Sequence, residues 1–437
     1  MELKEKLLSS FLAFEQKVDV ETDLHDLRTE ALKVFENKGF PTKKEEAWKY
    51  TSLNAVLSNN FSILPKNEVA VDWKDVKKYF LNDVDTYKVV FINGVFSSHL
   101  SSTTHDGLDV CLMSSALTKP KYKMVIDTYF NKAINKADSL SNLNTAYALE
   151  GAYINIPKST VVSKPIEILY FTTGSVSNFV QPRNLIIVGE NAHVQILERH
   201  QSLSDCVMLT NSVTEIFASK RAIVDYYKLQ NDVQTANLVD NTYICQKQES
   251  RVSVHTFSFG GNITRNNLNF YQQGERIDST LKGITIIGDK QHVDHFTLVN
   301  HEQPNCESHQ NYKGIYDDRS TGVFNGKIYV DKIAQKTDAF QQNNNILLTD
   351  KATLNTKPQL EIFADDVKCS HGCTIGQLDE SAMFYMQQRG IPKKEARALL
   401  MYAFTDEVIS SVKIADLQKK LQNLISHKLG VNIGFDI

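Results

Sequence analysis

Cysteine and histidine alternate at Cys369, His371 and Cys373 within ADDVKCSHGCTIGQLDE, residues 364 to 380. Thiol and imidazole are common metal ligands, zinc among their usual ions, and a cysteine beside a histidine is also the pairing of a nucleophile with its base. Spacing limits both chemistries. In a strand, Val367, Cys369, His371, Cys373 and Ile375 share one face, and Lys368, Ser370, Gly372 and Thr374 share the other. The soft atoms therefore lie on the apolar side, either inside the fold or against another protein. Side chains two apart on a strand are about 6.7 Å apart, whereas two sulfurs on one zinc lie within roughly 4.6 Å. All three cannot share one ion. Two neighbours leaning together supply half a site, and the remaining ligands must come from elsewhere in the chain or from a partner. A nucleophilic cysteine would need an oxyanion element, and none is legible. Cys373 reads as a small buried hydrophobe, while His371, on an apolar face, needs a hydrogen-bond partner or a role.

Other groupings are weaker. HEQPNCESH places His301, Cys306 and His309 at uneven spacing and reads as a polar corner; in KQHVDHF only His292 and Asp294 share a strand face with each other, and His295 does not. No GxxxxGK[ST], GxGxxG after a strand, GxSxG or CxxC occurs, so the chain does not read as a self-contained enzyme.

The elements that must position these residues fall into distinct textures. Residues 1–60 read as helices: Leu3, Leu7, Phe11, Phe14 and Val18 form one stripe, and a second helix runs from about Asp23 to a stop at Gly39, before Pro41. Trp48 reads as a packing anchor. Residues 61–150 are mixed, with Asn93-Gly94 between apolar runs as a hairpin signal. From 151 to 376 short β-branched runs alternate with polar turns such as Gly189-Glu190-Asn191, Ser219-Lys220-Arg221, Gln248-Glu249-Ser250 and Gly288-Asp289-Lys290. Their cadence, roughly 15 residues or its double, predicts stacked coils of a β-solenoid. Residues 377–437 return to helix. A short one ends at Gly390, and Pro392 opens a second with the stripe Ala396, Leu399, Leu400, Ala403, Phe404 and Val408. KIADLQKKLQNLISHKLGV makes a third.

Totals set the remaining bounds. A chain of 437 residues with formal charge −3 has no global basic field for nucleic acid or an acidic membrane. No run approaches the roughly 18 apolar residues of a membrane span. The N-terminus lacks the pattern of a signal peptide, and the six cysteines are sparse, so a cytoplasmic location with reduced thiols is expected.

Several stretches carry a resemblance: TYKVVFINGVF, LNTAYALEGAYINIP, VFNGKIYVDKIAQKTDAFQQNNNILLTDKA, KPQLEIFADDVKCSHGCTIGQLDESAMFYMQQRGI and ARALLMYAF. They are similar to the SufB/SufD family of iron–sulfur cluster assembly proteins, most densely from about 310 to 405, and KPQLEIFADDVKCSHG points to the SufD-type branch. The resemblance implies a right-handed parallel β-helix flanked by helical regions. It also implies a non-catalytic scaffold that pairs with a SufB-type paralogue and with SufC-type ATPases, which hydrolyse the ATP. Iron or an iron–sulfur cluster would be held transiently at the paralogue interface, with His371 and Cys369 as partial ligands. SufB-type chains carry a reactive cysteine before this block and a glutamate after the motif histidine; here FQQNNNILL has no cysteine and Gly372 follows His371. Cys373 stands where the family usually has alanine. The ATPase contact would fall on about 380 to 410, and Phe384, Arg389, Gly390, Arg397, Leu400 and Phe404 are expected to carry it. A flavin is associated with complexes of the family, with no residue here legible as its site. A homodimer is expected when the chain is isolated. The alternative, a carbohydrate-active β-helix enzyme, would require clustered carboxylates on one solenoid face.

Overall fold

The computed structural model describes residues 2–18, 24–63, 70–102, 107–135 and 137–430. The chain is mainly β, a parallel solenoid of about eight turns with helices at both ends. Two ten-stranded sheets face one another, and from Arg183 onward the chain passes from one to the other at every corner. Long parallel ladders stack coil on coil, as in His292–His301 on Thr321–Val330 and Glu307–Tyr316 on Thr337–Leu347.

The turn cadence in the sequence has a backbone cause. Ser159, Asn191, Arg221, Glu249, Arg276, Asn305 and Lys336 all have positive φ, and each lies at the same corner of successive coils. A left-handed residue costs a side-chain-bearing position about 1–2 kcal/mol. All of these corners but that of Arg276 offset this by donating the N–H to the next coil, as Asn191 does to Lys220 O at 3.0 Å, Arg221 to Gln248 O at 2.9 Å and Glu249 to Glu275 O at 2.9 Å. Charges on these corners also interlock, Arg221 with Glu190 at 2.9 Å and Arg276 with Glu249 at 2.5 Å.

The first coil is closed off. Tyr87–Ile92 pairs parallel with Ile166–Thr172, and Asn93-Gly94, both with positive φ, reverse the chain into the antiparallel Val95–Phe96. On the other sheet, Asp109–Leu112 runs antiparallel to Ala152–Ile156.

Helices cover the outer faces. Leu3–Val18 and His25–Lys38 bury Leu7, Phe11 and Phe35 with Leu143, Leu209 and Val239. Gly39 ends the second helix at φ 70°; its expected start, Asp23, lies outside the described residues. Trp48 is buried, as expected, and stacks 4.0 Å beneath the Arg265 guanidinium. On the opposite face, Lys393–Ile409 and Ala415–Lys428 bury Met401, Val408, Leu417 and Leu421 against Leu197, Tyr227, Phe257 and Ile284. The stripe of the first of these helices departs from expectation. Ala396 and Val408 are buried, but Ala398, Met401, Thr405 and Ile409 complete the packed face, while Leu399, Leu400 and Phe404 are half-buried and Ala403 is exposed. The helix carries apolar residues around most of its circumference, so periodicity alone does not select the side that packs. The C-terminal region expected to reach residue 437 runs past the described residues.

Candidate functional site

Register builds the site. One inward column of the second sheet reads Ile166, Ile196, Tyr226, Val254, Leu281, Gln310, Gln341, His371. Every member from Ile166 to Gln341 is buried, yet His371 is exposed. It points inward on the last strand, Val367–Gly376, and no further coil closes over it. The neighbouring edge, Thr353–Ile362, is also terminal in its sheet. The solenoid therefore ends on two strands of 10 residues each, each with one unpaired edge, and Pro358 removes a backbone donor from one of them. Ile333, Phe340, Phe363 and Ile375 are exposed around this end.

Cys369, His371 and Cys373 share the inward face as the alternation requires, paired with Ala339, Gln341 and Asn343 of the coil below. Their surroundings differ. Cys369 is half-buried against Ala339, Ala364, Leu360 and Val367; burial, with Asp338 nearby, pushes its thiol up. Cys373 is half-buried in polar company: its Sγ donates to Thr356 Oγ1 at 3.1 Å, and Asn343 Oδ1 lies 3.9 Å away. Under His371, Gln341 donates Nε2 to Gln310 Oε1 at 3.3 Å, and its own buried Oε1 has no partner.

The helix Glu380–Gln388 follows this end and buries none of its side chains. Phe384 and Tyr385 are 63% and 59% exposed, which marks an uncovered apolar face. Arg389 is exposed, donates to Tyr385 Oη at 2.9 Å and lies over its ring, and Gly390 stops the helix at φ 84°. Phe384 and Arg397 line one groove of about 520 Å³ with Leu347, Asp350 and Met383. Leu400 is half-buried, and Phe404 turns toward the solenoid under Lys313. A second groove is walled by Asp289, Lys290, Asp318 and Arg319. Neither groove has a glycine-lined backbone cradle for a flavin phosphate, so no residue is assigned to a flavin.

The weaker groupings separate. His301 is buried and bonds Ser308 Oγ at 2.9 Å, Cys306 sits in a corner with its Sγ on Gly274 O, and His309 points outward. His292 and Asp294 face the N-terminal region together, both meeting Thr51 Oγ1, while His295 points inward to Thr285.

One buried constellation escapes sequence reading. Glu198, His200 and Asp240 bring potential ligand atoms within 4.8 Å of one another inside the solenoid, the one such group among the described residues. An ammonium already occupies it: Lys228 Nζ lies 2.5 Å from Asp240 Oδ2 and 3.8 Å from Glu198 Oε1. Burial alone would raise the Glu198 carboxyl, but Lys228, His200 and Tyr226 hold it below the usual range. Burial raises Asp240 against the pull of Lys228. These residues join only because coil register sets Lys228 beside Glu198. The arrangement is an internal ion network, and these carboxylates face no solvent groove.

Comparison with known proteins matches two family models to the chain: SufBD protein N-terminal region over residues 1–168, and SUF system FeS cluster assembly, SufBD core domain, over residues 170–404. An iron–sulfur cluster assembly SufBD family protein of Synechocystis sp. is 32% identical over 395 residues, covering 88% of this chain and 87% of its own. The iron–sulfur cluster assembly protein SufD of Escherichia coli is 28% identical, covering 90% of each chain. SufD of Bacillus subtilis is 24% identical, covering 95% of this chain and 96% of its own.

Proposed function

Because the chain belongs to the SufBD family of iron–sulfur cluster assembly proteins, we propose that it is a SufD-type scaffold subunit. It pairs with a SufB-type paralogue through its open solenoid end and with SufC-type ATPases through the helices after it. The observation that carries this reading is His371, an imidazole exposed in a column whose seven preceding members from Ile166 are buried. A second solenoid end laid against these strands would satisfy the unpaired edges and cover the exposed apolar residues. It would also bring further ligands to a half-site made of His371 and an adjacent thiol, which the resemblance assigns to Cys369. Iron, or a nascent cluster, is the cargo held there.

The chain itself is non-catalytic in this reading, and hydrolysis occurs on the ATPase. Phe384, Arg389, Gly390, Arg397 and Leu400 form the ATPase contact, and Phe404 seats the helix that bears part of it. ATPase dimerisation pulls on these helices and shifts the paired solenoids, exposing the ligands. Among the described residues no helix is long and apolar enough to cross a membrane, and we place the complex in the cytoplasm. Isolated, the chain pairs with itself through the same edges.

An anaerobic pull-down of the tagged chain at native expression, with partner identification and iron analysis, tests the reading. Recovery of a SufC-type ATPase and a SufB-type paralogue is expected. His371→Ala is expected to lower bound iron while the complex stays intact. A chain recovered alone and iron-free would overturn the proposal.

A further inference from the structure

Cys369–His371 and His371–Cys373 have the same i, i+2 spacing, so spacing alone cannot say which thiol joins the imidazole. Their surroundings differ in two independent ways. Cys369 packs with Leu360 and Val367 against Ala339 and Ala364, and its sulfur meets the Ala339 backbone N–H rather than a side-chain donor. Cys373 Sγ instead lies 3.1 Å from Thr356 Oγ1 on the facing edge strand. Once a metal replaces the thiol proton, that hydroxyl can rotate and donate to the sulfur, which is how an outer-shell partner orients a ligand. The intervening residues differ too. Ser370 separates Cys369 from His371, but Gly372 separates His371 from Cys373, and nothing lies within 4 Å of the Cβ position Gly372 lacks. Convergence of two side chains about 6.7 Å apart requires local departure from the flat pleat, which glycine permits most readily. Beneath either pair, buried Gln341 lies in register with His371 and carries an unpartnered Oε1. A buried amide oxygen left unsatisfied beside a ligand pair is an acceptor for a metal-bound water or for the imidazole N–H.

We propose that His371 and Cys373, oriented by Thr356, form the metal-binding pair of this edge: a thiolate–imidazole half-site for a borderline divalent cation such as ferrous iron. The pair rests on the scaffold reading for its cargo but not for its chemistry, and Cys369 is packing. Binding joins the ion to the Cys373 sulfur and a His371 ring nitrogen, releases the thiol proton to solvent, and involves no change of oxidation state.

Cobalt(II) is the probe, because a cobalt–thiolate bond gives a near-ultraviolet charge-transfer band. Full-length chain is titrated anaerobically alongside Cys373→Ala, Cys369→Ala, His371→Ala and Thr356→Val, with circular dichroism confirming each fold. The unaltered chain is expected to show the band, and Cys373→Ala to lose it. Cys369→Ala should retain it, and Thr356→Val should weaken binding by about 10–100-fold. Loss of the band in Cys369→Ala, its persistence in Cys373→Ala, or no band in the unaltered chain each overturns the assignment. The pull-down separates the two readings: a chain that binds cobalt through Cys373 yet recovers neither partner keeps the half-site and loses the scaffold role.

Discussion

The two ends of the solenoid are built from the same coil and finished in opposite ways. At the N-terminal end, a hairpin and an antiparallel strand close both sheets, and Phe96, Leu108, Val110 and Leu112 pack onto the core. At the C-terminal end two strands stop with one edge of each unpaired. One inward column follows the same gradient: Ile166, Ile196, Tyr226, Val254 and Leu281 give way to Gln310, Gln341 and His371. Apolar interior is expected where a core must hold itself together. Amide interior beneath an open edge is costly to bury alone and becomes useful only when something polar or metallic joins it. The closed end holds itself together, and the open end is where we propose the chemistry.

The largest effect that would sharpen this contrast lies in the internal ion network. Lys228→Met leaves Glu198 and Asp240 buried without their cation, a break expected to cost about 3–5 kcal/mol. Urea unfolding should show a large loss of stability for Lys228→Met, whereas His371→Ala and Cys369→Ala at the open end should stay within about 0.5 kcal/mol of the unaltered chain. Comparable losses at both ends would erase the distinction.

Acid provides a second, smaller separation. His255 and His301 are buried with burial holding each imidazole down to about 3, and burial holds His295 down to about 4. The unfolded chain accepts these protons below about 6.5, and the folded state refuses them. Stability contributed by each neutral ring is therefore fully present above pH 6.5. It falls as pH drops toward 4, by at most about 1.4 kcal/mol per pH unit per histidine. His301→Gln, which retains a polar group for Ser308, should flatten that part of the curve, read as ΔG of unfolding between pH 6.5 and 4.5. An unchanged slope would mean that His301 is already open to water.

What could be read from sequence follows from what is local. Left-handed corners repeat with each coil, so the solenoid shows in turn cadence, and Asn93-Gly94 shows a hairpin because both residues accept positive φ. Cys369, His371 and Cys373 share a face through strand alternation alone. Which of the two sides of that strand lay inward, and that no coil follows, depended on register with Ala339, Gln341 and Asn343. Thr356 reaches Cys373 across 17 residues and an intervening corner, a distance no periodicity reports. Lys228 and Glu198 meet across a whole coil for the same reason. The packed side of Lys393–Ile409 was illegible because Leu399, Leu400 and Phe404 are as apolar as Ala398 and Met401.

The smallest predicted effect is also the most local. Asp379 caps the helix Glu380–Gln388, its Oδ1 accepting from Ser381 N at 2.8 Å and Ala382 N at 3.1 Å. With no buried side chain, this helix depends on its cap more than a packed helix does. Asp379→Ala should cost about 1 kcal/mol, which corresponds to roughly fivefold faster amide exchange within residues 383–388. Asp379→Asn, which retains a capping acceptor, should restore most of the protection. The urea midpoint of the whole chain should not move, because the coils do not rest on this helix. If it does move, the open end is cooperative with the closed one. The exposed faces of Phe384 and Tyr385 would then belong to a rigid body, and a pull on this helix would reach the coils beneath His371 directly.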